Sequence, residues 1–192
     1  MNLVEVFNGT RVALDCEAVA LLVARVLEAE EVYDAELSVV FVGERRIRTL
    51  NREHRGRDEV TDVLSFPLED ADDETAEVDD EPGAAGDADD GRPAAGVDDR
   101  RAYEAADEDP EGAEPQAPPR LLGDIVVCAR QALRQARADS LPPAFELAVL
   151  LAHGTLHLLG YDHEVDAGEM ALRQAEVLDL VAWEGLLVAT QG

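Results

Sequence analysis

Three of the four histidines of this 192-residue chain fall in one short run, His153-Gly-Thr-Leu-His157-Leu-Leu-Gly160-Tyr-Asp-His163. His153 and His157 are four apart, so on an α-helix their imidazoles project from the same face, one turn above the other. Gly160 can adopt a left-handed conformation at little cost, which ends the helix and turns the chain back to deliver His163 as a third ligand. Three nitrogens at about 2.0–2.1 Å leave a tetrahedral ion such as Zn²⁺ one open position, the mark of a catalytic site. One Zn²⁺ held by His153, His157 and His163 is the expectation. The competing interpretation of such a cluster is a set of core or capping histidines; His54, which stands alone, gets no metal role.

The same spacing, glycine included, is that of the metzincin peptidases, HExxHxxGxxH, in which the Glu after the first His is the general base. Here that position is Gly154, so the peptidase mechanism lacks its proton acceptor and ranks second. No general base is assigned. Asp124, Asp162 and Glu164 are candidates, with Asp162 equally suited to orienting a histidine from behind and Asp124 to capping backbone groups or pairing with an arginine. Ser65, in a strand pattern with no G-x-S-x-G turn around it, reads as structural.

The elements that must position these residues alternate along the chain. Leu3 to Asn8 is a strand candidate. Asp15 caps a helix to about Glu30 whose Val19, Leu22, Val23, Val26 and Leu27 recur at helical spacing. A valine-rich strand follows at Ala35 to Val42, an arginine-rich helix at Glu44 to about Glu53 and a strand at Thr61 to Phe66. Leu122 to Cys128 reads as a continuous apolar strand and Ala129 to Ala138 as a helix. Pro142 and Pro143 suit the first turn of the helix that carries the histidines. Asp166 and Glu169 form an N-cap and N3 pair for a last helix with Met170, Val177 and Val181 on one stripe. The expected fold class is α+β: a small mixed β-sheet packed with helices, one of them a zincin-like metal-binding helix.

Length favours one domain over residues 1–192. The formal charge of -27 is uneven: residues 69–119 hold 20 Asp or Glu against 3 Arg, a net of -17. That segment is poor in branched and aromatic residues and rich in Ala, Gly and Pro, the signature of a disordered insertion; a tolerated surface loop is its simplest role. Cys16 and Cys128 fit no ligand spacing and read as small buried residues in a reduced compartment. With no leader-like start and no apolar stretch near spanning length, the chain is expected to be cytoplasmic, with no membrane association. Nucleic acid requires local cationic patches. Glu44 to Arg57 supplies Arg45, Arg46, Arg48, Arg52, Arg55 and Arg57 against Glu44 and Glu53, and Arg120, Arg130, Arg134 and Arg137 form a second group; most of these read as a solvated helix face.

Three blocks carry a family resemblance: Arg55-Gly-Arg-Asp-Glu-Val-Thr61-Asp-Val-Leu-Ser65-Phe-Pro67, Leu122-Gly123-Asp124-Ile125 and His153 through His163. In this order they resemble the YbeY-type endoribonucleases, over the whole chain outside the insertion. The chain departs from that pattern in its long acidic connection and in Val60, where Pro is common. The resemblance implies a zinc-dependent, single-strand-specific endoribonuclease acting in 16S rRNA 3′ end maturation and ribosome quality control. It implies Arg55 as the catalytic arginine at the phosphate, and single-stranded rRNA, the small ribosomal subunit, the Era GTPase and a small-subunit ribosomal protein as partners. The alternatives are a metallopeptidase and a non-catalytic ribosome-assembly factor with a structural metal.

Overall fold

The computed structural model describes residues 1–68, 118–163 and 165–187. The expected acidic insertion at 69–119, apart from its last two residues, and Glu164 lie outside them. Among the described residues nine elements follow in order: β1 (Leu3–Asn8), α1 (Cys16–Ala29), β2 (Ala35–Phe41), α2 (Glu44–Arg55), β3 (Val63–Pro67), β4 (Arg120–Val127), α3 (Ala129–Ala138), α4 (Pro143–Leu158) and α5 (Glu169–Leu180). The strands form one mixed sheet in the order β1-β2-β4-β3, with β2 parallel to both β1 and β4 and β3 antiparallel to β4. The architecture is α+β. No helix among the described residues is long and apolar enough to cross a membrane.

Helix α1 forms where its spacing requires. Asp15 accepts hydrogen bonds from the Glu17 and Ala18 amides at 3.1 and 3.0 Å, satisfying two otherwise orphaned donors. The five apolar positions that recur at helical spacing are the five it buries, while Leu21 stays exposed, each buried one contributing about 1.5–3 kcal/mol against exposure. They meet the inward residues of β2, Ala35, Leu37, Val39 and Phe41, together with Ile125 and Val127 of β4 and the apolar side of α4, in the main core. Among the described residues the opposite face of the sheet carries α2, which seals a smaller cluster of Ile47, Leu64, Val126 and Cys128.

Two glycines set close approaches that carry the site. Gly123, at φ 123°, lies where the β2–β4 register slips past Leu122, and a Cβ there would stand 2.1 Å from the Phe66 carbonyl oxygen. Only glycine fits both the conformation and the gap. Gly154 faces the sheet from α4, where a Cβ would lie 2.8 Å from Ile125 Cγ2 and 3.2 Å from Ser65 Oγ. Ser65 donates to the Gly154 carbonyl at 3.3 Å, tying β3 to the histidine helix.

Three expectations need correction. The last helix begins at Glu169 with Gly168 as its N-cap residue at φ 98°, so Glu169 is the first helical residue and not N3. The Asp166 carboxylate still caps, accepting from the Gly168 and Met170 amides at 2.7 and 2.8 Å, because the left-handed glycine curls the loop back over the first turn. Cys16, as the first residue of α1, is half-buried; Cys128 is buried, and both are free. In β4 Asp124 is exposed between buried neighbours, so the strand is not continuously apolar.

Candidate active site

Helix α4 places His153 and His157 on one face, and its end brings in His163. The Gly160 amide donates to the His157 carbonyl at 3.0 Å and the Tyr161 amide to the Leu156 carbonyl at 3.1 Å, with Gly160 at φ 93°. This is the Schellman arrangement, which reverses the chain within three residues. The returning loop is anchored by Glu30 at the end of α1, which accepts from Tyr161 Oη at 2.8 Å and from Arg173 Nε of α5 at 2.6 Å. Its carboxylate is nearly buried, so the two donors satisfy charge where water does not.

The three rings lie with centroids 4.6, 5.3 and 5.1 Å apart, and one nitrogen from each falls within 4.8 Å of the others. Hydrogen bonding decides which nitrogens face inward. His157 Nδ1 is 2.8 Å from the Tyr161 carbonyl oxygen, which can only accept, so Nδ1 carries the proton. His153 Nδ1 is 2.9 Å from Gln174 Oε1 of α5 and donates likewise. Burial lowers the pKa of His153, and burial followed by the neighbouring His153 lowers that of His157; both shifts favour the neutral ring. Their bare Nε2 atoms then face one another at 3.1 Å. Two lone pairs so placed repel unless a cation lies between them, and tetrahedral ligands at about 2.0–2.1 Å from zinc stand about 3.3 Å apart. The donor set therefore fits a metal ion, with the outer nitrogens held by acceptors in the way ligating histidines usually are.

Beside the histidines, Arg55, Arg57, His157, Asp162 and His163 line an open groove of about 440 Å³. Arg55 ends α2, and Gly56 at φ 69° turns the chain toward Arg57. Buried Asn51 fixes that turn by donating to the Glu59 carbonyl at 3.0 Å. The charge of Arg55 reaches both inner histidines and adds to the lowering of their pKa values.

The other sequence candidates separate. Asp162 lines the groove. Asp124 does not approach the histidines: its neighbour Ile125 packs on Gly154 of α4, while Asp124 points to the other face of the sheet, accepts from Ser38 Oγ and lines a depression with Arg46, His54 and Phe66. Strand alternation is the reason. Arg48 is held by Asp58 through two hydrogen bonds of 2.8 Å, with Arg52 3.7 Å away, and Arg134 pairs with Glu44. Sequence reasoning missed Gln174 and Glu30, whose contacts bridge 21 and 131 residues and leave no local pattern. Arg57, one of the cations of the Glu44 to Arg57 run, lines the groove with Arg55.

The profile of a family described as Endoribonuclease YbeY matches residues 7–182. A protein named Endoribonuclease YbeY from Anaeromyxobacter sp. is 40% identical over 158 residues, covering 81% of this chain and 58% of that protein. One of the same name from Anaeromyxobacter dehalogenans is 38% identical over 184 residues, covering 95% and 69%, and one from Staphylococcus carnosus is 40% identical over 148 residues, covering 76% and 72%. The chain thus spans less than two thirds of the first of these relatives. The solution structure of a Thermotoga maritima protein shares the fold at a TM-score of 0.51 and 24% identity, over 92% of this chain and 87% of that one. With the three histidines converging at the end of α4, and the match running across nearly every element that supports them, the chain belongs to the Endoribonuclease YbeY family.

Proposed function

We propose that this protein is a metal-dependent endoribonuclease that hydrolyses phosphodiester bonds of single-stranded RNA, with one Zn²⁺ held by His153, His157 and His163. The observation that carries the reading is the approach of His153 Nε2 and His157 Nε2 to 3.1 Å, with each Nδ1 beside an oxygen acceptor, next to a groove that His157 and His163 line together with two arginines. When bound there, the metal supplies Lewis acidity toward a phosphoryl oxygen and a lowered pKa for water. The chain's own residues supply the rest. Arg55 contacts the phosphate and offsets the charge that builds on its oxygens in the transition state; a guanidinium stays charged and can fork onto two oxygens. Arg57 adds a second cation at the mouth. Gln174 and the Tyr161 carbonyl keep the inner rings in the tautomer that turns Nε2 inward. Asp162 is the groove's carboxylate for orienting a histidine or accepting a proton.

Gly154 weighs against the peptidase alternative. The position that would need a glutamate packs on Ile125 and Ser65, so a side chain there enters the core and not the groove. In the cell, the family resemblance supports a role in 16S rRNA 3′ end maturation and ribosome quality control in the cytoplasm, with the small ribosomal subunit, a small-subunit ribosomal protein and the Era GTPase as partners. The test incubates zinc-loaded protein and its His157→Ala and Arg55→Ala variants with structured rRNA and with casein, and measures metal content of each. Zinc-dependent RNA cutting, lost in His157→Ala with the metal and in Arg55→Ala without loss of metal, is the expected result. Proteolysis, or no cleavage with loss of folding in His157→Ala, overturns it.

A further inference from the structure

Helix α2 carries arginine at 45, 48, 52 and 55, a spacing of i, i+3, i+7 and i+10 that places all four on one flank, away from buried Ile47 and Asn51. One end of this stripe is Arg55 in the groove beside the histidines. The other end opens into a separate groove of about 460 Å³ at the start of α2, lined by Arg11, Arg45, Arg46 and Arg130 over an apolar floor of Val12 and Val42. The carboxylate there is Glu44, which Arg134 already holds and whose pKa that hydrogen bond lowers. Among the described residues these four arginines form no ion pair. In a chain with 43 acidic and 16 basic residues, four guanidiniums gathered around one carboxylate, Glu44, which Arg134 holds and whose charge Arg130 also feels, leave an excess of positive charge that favours an anionic ligand. Midway along the stripe, Arg48 and Arg52 share Asp58, which leaves one positive charge and a fixed guanidinium.

We propose that the arginine flank of α2 and the groove of Arg11, Arg45, Arg46 and Arg130 form a phosphate track that binds the RNA strand on one side of the scissile bond. The identity of the ligand rests on the nuclease reading. Helix geometry puts Arg45 about 15 Å from Arg55, and a stacked strand advances about 3.4 Å per nucleotide. A trinucleotide held at the histidines therefore ends short of the far groove, whereas a dodecamer reaches it.

The experiment measures fluorescence anisotropy of labelled single-stranded trimer and dodecamer RNA against salt, on the full chain with EDTA present, strand integrity checked on a gel. The variants are Arg11→Ala/Arg45→Ala/Arg46→Ala/Arg130→Ala and the same four positions changed to Lys. The alanine variant should bind the dodecamer at least tenfold more weakly, with its log–log salt slope shallower by about 0.7 per lost phosphate contact. The lysine variant should keep most of the slope, and trimer binding should be alike in all three proteins. An unchanged dodecamer slope in the alanine variant overturns the track while leaving the nuclease reading intact. Failure of the wild-type protein to bind the dodecamer also overturns it. If the protein does not cut RNA yet binds the dodecamer through these arginines, the track stands and the nuclease reading falls.

Discussion

Substituting Gly154 by alanine tests whether the sheet, and not the metal chemistry, dictates glycine after the first histidine. On an unobstructed helix the change stabilises by about 0.8–1.0 kcal/mol. Here the new Cβ would stand 2.8 Å from Ile125 Cγ2, 3.4 Å from Ile125 Cδ1 and 3.2 Å from Ser65 Oγ, the first well short of the favourable carbon contact range of about 3.5–4.0 Å. Overpacking of this kind costs about 1–3 kcal/mol, so after the propensity gain a net loss of up to about 2 kcal/mol is expected. In an Ile125→Ala background two of the three contacts vanish, and the same change should stabilise by about 1 kcal/mol, a coupling of about 1–3 kcal/mol. Urea unfolding of the four proteins reads this directly, followed by emission of the single tryptophan, Trp183, which packs edge-on against Phe145 of α4. Equal effects of Gly154→Ala in both backgrounds, or a single variant more stable than wild type, would refute the packing argument.

Three further outcomes follow from the site and the topology. Replacing Gln174 by Leu removes the acceptor that holds His153 Nδ1 and should weaken zinc binding about 10–100-fold, measured by competition with a chromogenic chelator. The metal-free protein should lose stability as pH falls below 6.5: His153 and His157 have folded-state pKa values lowered from 6.5, so between those values and 6.5 the unfolded chain binds more protons and gains on acidification; urea midpoints at several pH values check it. Replacing residues 69–117 with a four-residue turn shortens the loop by more than three doublings at about 0.6 kcal/mol each, so stability should rise by about 2 kcal/mol. Loss of stability would show instead that the acidic segment contributes contacts.

Much of this molecule is legible where a local pattern carries the information. The burial of Val19, Leu22, Val23, Val26 and Leu27 follows from period alone, and the His153–His157 pair with a glycine three residues on foretells both a shared face and a chain reversal. What fails does so for physical reasons. Asp124 sits in a run that reads as apolar, yet alternation sends it to the α2 side while Ile125 faces α4; its neighbours in sequence are not its neighbours in space. The start of α5 is misread because Gly168 adopts a left-handed conformation and lets Asp166 cap from farther back than the capping-box spacing allows. Arg48 and Arg55 look equivalent along the chain, and only the turn at Gly56, which swings Asp58 back under Arg48, separates an internal ion pair from a cation facing the groove. Gln174 and Glu30 act across distances no sequence window spans.

The strand order has a consequence for synthesis. Strand β4 lies between β2 and β3 but follows both in the chain, so a ribosome releases the two outer neighbours before the strand that joins them exists. At about 5–20 residues per second, the stretch from Leu68 to β4 occupies about 3–10 s, during which the inward edge of β2 presents unpaired amides and carbonyls to any nascent chain on the same polysome. The segment being made in that interval carries the net charge of -17. Like charges of that size repel, which disfavours edge-to-edge pairing of neighbouring chains until β4 arrives to fill the gap.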